Sequence, residues 1–334
     1  TPWVRAGEVL AVDQLTLEPP RGNPAGRSPA GRSPARTEEQ LVVVDGGVDV
    51  ASLSWRPTIF RALTDNDGLK QGWVSGWLGN FDRWITQQGL DRSTWSADPA
   101  RRRRVDGTVV VTERGTLQPA GQVEPVRVQR RITTHDDGWV NVAVTLDLPT
   151  GLDDPPRVGT EWELPGAFER VEWFGEGPHE SYPDRRAAVF AARHSENIDD
   201  MYEDYVVPQE HGHRGALRWL AFTPQGGRGV GMLVVADPHV GAGTFGAAVR
   251  RHSDSELWSS FHTDELARLA ASRPRSTFMY LDVATRGLGT GSCGPDALDR
   301  YRIRAGRHLI SFWTRHFDPR SEDPGAMAAL VRRR

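Results

Sequence analysis

A chain of 334 residues with 38% hydrophobic and 25% charged side chains has enough apolar mass for one large domain or two ordinary ones. Its formal charge of −3 argues against the concentrated positive surface that a nucleic-acid or anionic-membrane partner favours. Lys70 is the one lysine among 41 basic residues and Cys293 the one cysteine, so Schiff-base chemistry is disfavoured and an intrachain disulfide is excluded. No stretch approaches the roughly 18 apolar residues of a membrane span. The opening Thr1-Pro2-Trp3-Val4-Arg5 has no basic segment followed by an apolar one, so no signal peptide is expected and a cytoplasmic location is.

In chain order, residues 1–18 read as extended structure, with Val9, Leu10, Val12, Leu15 and Leu17 as its apolar positions. Residues 19–38 form a low-complexity linker, in which Ala25-Gly26-Arg27-Ser28-Pro29 repeats as Ala30-Gly31-Arg32-Ser33-Pro34 with too few apolar groups to offset the ordering entropy. Residues 39–318 read as one large domain and 319–334 as a C-terminal tail. Short segments rich in β-branched and aromatic residues predict strands at Leu41–Val44, Thr108–Thr112, Val126–Thr133, Trp139–Leu146, Arg170–Phe174, Val230–Val235, Thr277–Val283 and His308–Trp313. Their regular punctuation by Gly, Pro and Asp predicts an all-β antiparallel sandwich with minor helices. Trp73, Trp77, Phe81 and Trp84 share one helical face, which suits packing on the sandwich better than a sugar-stacking platform. Thr263–Ala271 is a second helix candidate. The run Arg101-Arg102-Arg103-Arg104 reads as a solvated loop between strands.

Motifs suggestive of chemistry mostly dissolve on inspection. Gly226–Gly231 and Gly287–Gly291 lack the following helix that a phosphate-cradling loop needs, so both are turns. Glu210-His211-Gly212-His213 does not have the helical zinc order, and polar packing is the simpler reading. Asp199, Asp200, Glu203 and Asp204 sit too close on one segment to bracket a glycosidic bond from opposite faces. The residues themselves select no general acid, so no catalytic residue and no metal ligand is assigned.

Three stretches carry a family resemblance. They are Phe60–Gly68 (with Thr64-Asp65-Asn66-Asp67-Gly68), Trp173–Arg185 continuing through Met201–Gly212 to Leu220, and Leu281-Asp282 with Arg286–Pro295, Tyr301 and Gly306. Over roughly residues 41–317 the chain resembles the small-chain or fifth domain of the large bacterial β-galactosidases of glycoside hydrolase family 2, and residues 1–18 resemble the end of a preceding immunoglobulin-like domain. The Ala-Gly-Arg-Ser-Pro repeat departs from the family, as do His211, where Asn is usual, and Leu63, where Pro is usual. The resemblance implies a supersandwich of the galactose-mutarotase-like kind that closes one side of a galactose pocket. It also implies that the catalytic glutamates lie in a barrel outside this chain, carried by a large chain or a missing segment, and that the assembly is an oligomer. Hydrolysis of lactose-type β-galactosides is then expected of the complete enzyme. Magnesium and sodium are expected there too, with no cofactor bound by this chain. Asp65, Asn66, Asp67 and Gly68 would form a loop beside the substrate. Cys293 would sit where some relatives carry a Trp against the second sugar, and no flanking base or cation gives it a nucleophilic role. The alternatives are an autonomous aldose mutarotase-like protein and a carbohydrate-binding module.

Overall fold

The computed structural model describes residues 53–68, 79–105 and 107–334. The extended segment at 1–18, the linker, Leu41–Val44, Trp73 and Trp77 lie outside the described residues. Fifteen strands run as β1 (Ser54–Thr58), β2 (Thr94–Ala97), β3 (Arg101–Val105), β4 (Thr108–Gln118), β5 (Val126–Thr134), β6 (Val140–Leu148), β7 (Arg157–Pro165), β8 (Phe168–Gly177), β9 (Phe190–Asn197), β10 (Arg214–Leu217), β11 (Trp219–Pro224), β12 (Gly231–Ala236), β13 (Phe245–Arg250), β14 (Ser276–Thr285) and β15 (Gly306–Phe317). Helices α1 (Asp254–Ser259), α2 (Thr263–Ala271) and α3 (Pro324–Val331) complete the set, with a π-helical segment at Asp82–Gln87. Each predicted strand among the described residues falls on one of these, and α2 has the predicted bounds.

The strands form two sheets in which neighbours pair antiparallel. The smaller has the order β1-β7-β14-β13-β10; the larger has ten strands in the order β2-β4-β5-β6-β15-β12-β11-β8-β9, with β3 added beside β4. Alternation decides which face of each strand is buried. In the smaller sheet, Trp55, Trp162, Met279 and Val249 lie in one cross-strand row and pack on the core. From the larger sheet Val142, Val144, Ile310, Phe312 and Phe222 meet them. The Trp162 and Phe312 rings touch edge-on at 5.8 Å between centroids, joining the two layers. Trp84 is buried in the same core, so the predicted aromatic stripe packs at its C-terminal end as expected.

Two expectations change. The Arg101–Arg104 run is a strand, β3, paired along β4 and exposed at every residue. β-pairing of an edge hairpin needs only the backbone, so charged side chains are tolerated there and guard the sheet edge. The region after residue 318 contains α3, capped by Asp323, whose carboxylate accepts the Ala326 N–H at 2.7 Å. Its Met327, Ala328 and Val331 cover the outer face of the larger sheet against Trp139, Trp219, Leu233 and Val235. That cover explains why β12 is buried on both faces.

Truncating the inter-sheet contact by Trp162→Ala should cost about 3–5 kcal/mol, whereas Arg103→Ala on exposed β3 should stay within about 0.5 kcal/mol of wild type. Urea unfolding midpoints of the two variants check both; a large loss for Arg103→Ala would mean that β3 has a partner within the fold.

Candidate functional site

The chemistry collects on the face of the smaller sheet that points away from the core. Register places Glu161, Tyr280 and Ala248 in one outward row and Gly159, Asp282 and Gly246 in the next. The two glycines leave room for polar groups to lie over the sheet. A Cβ at Gly159 would come 2.4 Å from Asp282 Oδ1, and one at Gly246 would come 2.4 Å from His213 Nε2.

Two arginines organise this face. Arg157 donates to Glu210 at 2.9 Å, Asp254 at 2.5 Å and Asp282 at 3.1 Å. Arg250 donates to the second oxygens of Glu210 at 2.9 Å and Asp254 at 2.5 Å, and to the His211 carbonyl at 2.9 Å. Both guanidiniums also lie against Tyr280, 4.6 and 4.5 Å from its ring centroid. All of these side chains are buried. Burial alone would raise the Glu210 carboxyl, yet Arg157 and Arg250 hold it down to about 2. Burial instead dominates at Asp254 and Asp282, each pushed up to about 6 despite its arginines. Three carboxylates against two guanidiniums leave one negative charge in excess, so a raised pair beside a depressed Glu210 is the expected balance.

Through this network two loops become one surface. The Glu210 N–H donates to the Ala62 carbonyl at 3.1 Å, and the Asp65 N–H donates to Gln209 Oε1 at 3.1 Å. Within the first loop, Arg61 forms a buried ion pair with Asp67 at 2.9 Å and donates to the Arg286 carbonyl at 2.9 Å. Asp67 Oδ2 also accepts the Thr64 N–H and hydroxyl, each at 3.0 Å, so the Asp67 carboxylate is committed to holding the turn. Gly68 closes the turn at φ 130°, outside the range an L side chain adopts comfortably. Asn66 crosses to the loop containing Cys293. It donates to the Gly289 carbonyl at 3.1 Å and accepts from the Ser292 N–H at 3.2 Å and the Ser292 hydroxyl at 2.7 Å. The two segments singled out in the sequence are therefore brought together. Asn66 bonds across this gap and not to its own backbone, the usual partner of an Asn in a turn. Cys293 is exposed in the turn closed by its own N–H on the Thr290 carbonyl at 3.0 Å, and Asp65 is exposed on the other side. Thr64, Asp65, Asn66, Glu180, Tyr205 and Ser292 are among the residues lining a cleft of about 390 Å³.

The histidines belong to the packing. His213 Nδ1 donates to the Ser181 carbonyl at 2.7 Å, and Nε2 lies 3.1 Å from the Thr285 hydroxyl. His211 is 1% exposed and edge-on to Tyr202, and neither ring nitrogen is hydrogen-bonded among the described residues. Burial depresses His213 to about 4 and His211 to about 3. Asp199, from the acidic cluster, pairs with Arg251 at 2.7 Å and Arg275 at 2.5 Å. Among the described residues no three His, Cys, Asp or Glu side chains are grouped so as to hold a metal ion. Nor, among the described residues, is any helix long and apolar enough to cross a membrane.

Fold and site define an all-antiparallel, two-sheet sandwich whose smaller sheet carries an arginine-locked loop surface. Residues 38–314 match the family described as beta galactosidase small chain, and the chain belongs to that family. It is similar to the β-galactosidase of Arthrobacter sp. strain B7, with 28% identity over 91% of this chain and 31% of the relative. The Vibrio cholerae β-galactosidase is 27% identical over 87% of this chain and 28% of its own length. That of Psychromonas ingrahamii is 31% identical over 51% of this chain and 15% of its length. The chain thus spans under a third of each of these relatives. Among solved structures, an Escherichia coli K12 candidate aldose 1-epimerase aligns with 11% identity and a TM-score of 0.36, over 79% of this chain and 84% of that one. The galactosidase domain of an α-galactosidase–sucrose kinase aligns with 9% identity and a TM-score of 0.31, over 67% and 27%.

His211 generates a pH prediction. Its folded pKa lies below the unfolded value of 6.5, so the unfolded chain binds the proton more readily. Its contribution to stability is therefore present above pH 6.5 and lost as pH falls toward about 3. Asp254 and Asp282, raised from 3.8 to about 6, oppose that loss in the lower part of the window. His211→Asn should flatten the acid limb by up to about 1.4 kcal/mol per pH unit. Urea midpoints of both proteins from pH 7 to pH 4 check this; parallel curves would place the acid sensitivity elsewhere.

Proposed function

We propose that this chain is the noncatalytic β-sandwich portion of a retaining β-galactosidase, completing the galactose pocket of a barrel carried by another chain or segment. The substrates are terminal β-D-galactosides of the lactose type. The barrel contributes the two carboxylates, about 5–5.5 Å apart, that double displacement requires. The observation that supports this best is the junction of Asn66 with Ser292 and Gly289 beside an open cleft, because it builds one polar lip from the two segments that the family resemblance assigns to the pocket. In this role Asp65 and Asn66 face substrate, while Asp67 and Gly68 hold the turn. Cys293 stands at the aglycone side. Its thiol is smaller than an aromatic ring and leaves room for a bulky second group at the expense of stacking surface. Magnesium and sodium, where the complete enzyme uses them, are held outside this chain's described residues.

The purified chain alone should lack the ~10⁶-fold or greater acceleration of a glycosidase, and mixing it with the matching barrel-bearing chain should restore turnover of an aryl β-galactoside. In the assembled enzyme, Cys293→Trp should shift KM for lactose more than kcat. Turnover by the isolated chain, or no gain from any barrel partner, would contradict the assignment; unchanged KM values would remove Cys293 from the site.

A further inference from the structure

A second cleft, of about 370 Å³, lies on the far side of Tyr182, which lines both. It is built over the β10–β13 edge of the smaller sheet, where the strand register shifts between Arg214 and Leu217. Ala216, on its lining, is held at φ 51°, a left-handed conformation costly for a residue with a Cβ. Bulges and strained residues are concentrated where a sheet edge is shaped for a ligand. Gly215 is bare for a matching reason: a Cβ there would come 2.8 Å from Glu176 Oε2.

One wall is a continuous hydrogen-bonded chain. Arg186 pairs with Glu176, whose second oxygen accepts the Ser181 hydroxyl at 2.8 Å; the Ser181 carbonyl accepts His213 Nδ1–H at 2.7 Å. Beyond it, the Thr285 hydroxyl sits 3.1 Å from both His213 Nε2 and Asp282 Oδ2. A carbonyl only accepts, so Nδ1 carries the imidazole proton of neutral His213. Thr285 then has one proton for two acceptors, so whichever of His213 Nε2 and Asp282 Oδ2 it leaves can accept from a ligand hydroxyl, as can the Thr285 oxygen itself. Asp282 Oδ1, in a residue 1% exposed, has no hydrogen-bond partner among the described residues. Glu176 is paired with Arg186 and Asp282 with Arg157, so among the described residues the cleft offers neither a free cation for an anion nor an unpaired carboxylate set for a metal. Half-buried Tyr301 adds a flat ring.

We propose that this second cleft binds a neutral monosaccharide, whose hydroxyls complement a wall of groups able both to donate and to accept. Its volume, near the lower end for ligand pockets of roughly 300–1,000 Å³, suits a single ring. The site is separate from the Asn66–Ser292 lip and does not depend on the galactosidase reading.

The test is an NMR titration of the full chain with D-galactose, with sodium sulfate as the anionic comparator. Saturable shifts at Thr244 and Tyr301 in the millimolar range are expected, with no saturation by sulfate. Thr244→Trp, at the half-buried rim, should weaken affinity at least tenfold, whereas Asn66→Ala should leave it unchanged. Thr285→Val keeps the side-chain volume, removes the relay hydroxyl, and should also weaken binding, so the test survives if the Trp variant does not fold. Absence of saturation by roughly 100 mM galactose, saturation by sulfate instead, or loss of binding in Asn66→Ala with Thr244→Trp unaffected would each overturn the proposal.

Discussion

Two buried arginines facing three buried carboxylates set the terms for everything on the outward face of the smaller sheet. Desolvating five charges is costly, and an ion cluster of this kind is tolerated when each charge is paired and hydrogen-bonded. Arg157 meets that condition with one carboxylate for each of its nitrogens, and Arg250 with two carboxylates and two carbonyls. Such a network adds little net stability over a well-packed apolar layer, but it is intolerant of partial disruption. Its value is positional: Glu210 fixes the second loop, Asp254 caps the approach of Ala62, and Asp282 anchors the end of β14 beside Thr285.

Much of the architecture was legible because strand and turn chemistry are local. Alternating Val140–Leu146 and apolar Gly231–Ala236 announce their faces, and Asp65, Asn66 and Gly68 announce a turn. The site's framework was not legible, for a physical reason. Arg157, Arg250 and Asp282 sit in three strands scattered along the chain, and only sheet register places them within bonding distance. A faint signal existed. A charged residue that follows an apolar run in a strand, as Arg250 does after Phe245–Val249 and Asp282 after Phe278–Leu281, must either reach solvent or find a partner. The β3 strand escaped notice because four consecutive arginines carry no apolar alternation, and α3 because a short Ala-rich tail shows little amphipathic pattern.

Function follows from what the network leaves open. The first cleft is framed by loop atoms that bond each other across the gap between Asn66 and Ser292, which makes the lip a single unit able to meet an outside partner. The second is framed by sheet residues and a bonded polar chain, which makes it rigid and self-contained. Tyr182 separates the two, stacked on His213 at 5.3 Å with Arg61 5.8 Å from its ring centroid. Disturbance of the arginine network would reach both clefts directly, because Glu210 lines the first and Asp282 the second.

Native-state hydrogen exchange on wild-type and Glu210→Gln protein tests this dependence most directly. Glu210→Gln keeps the side-chain volume but replaces one acceptor oxygen with an amide N–H, so one of the two arginines faces donor against donor where it now has a carboxylate. Amides of residues 60–67 and 209–213 should then lose protection together, while β4, β5 and β6 keep theirs. Unchanged protection in both loops, or a uniform loss across the larger sheet as well, would contradict a loop surface held by this network.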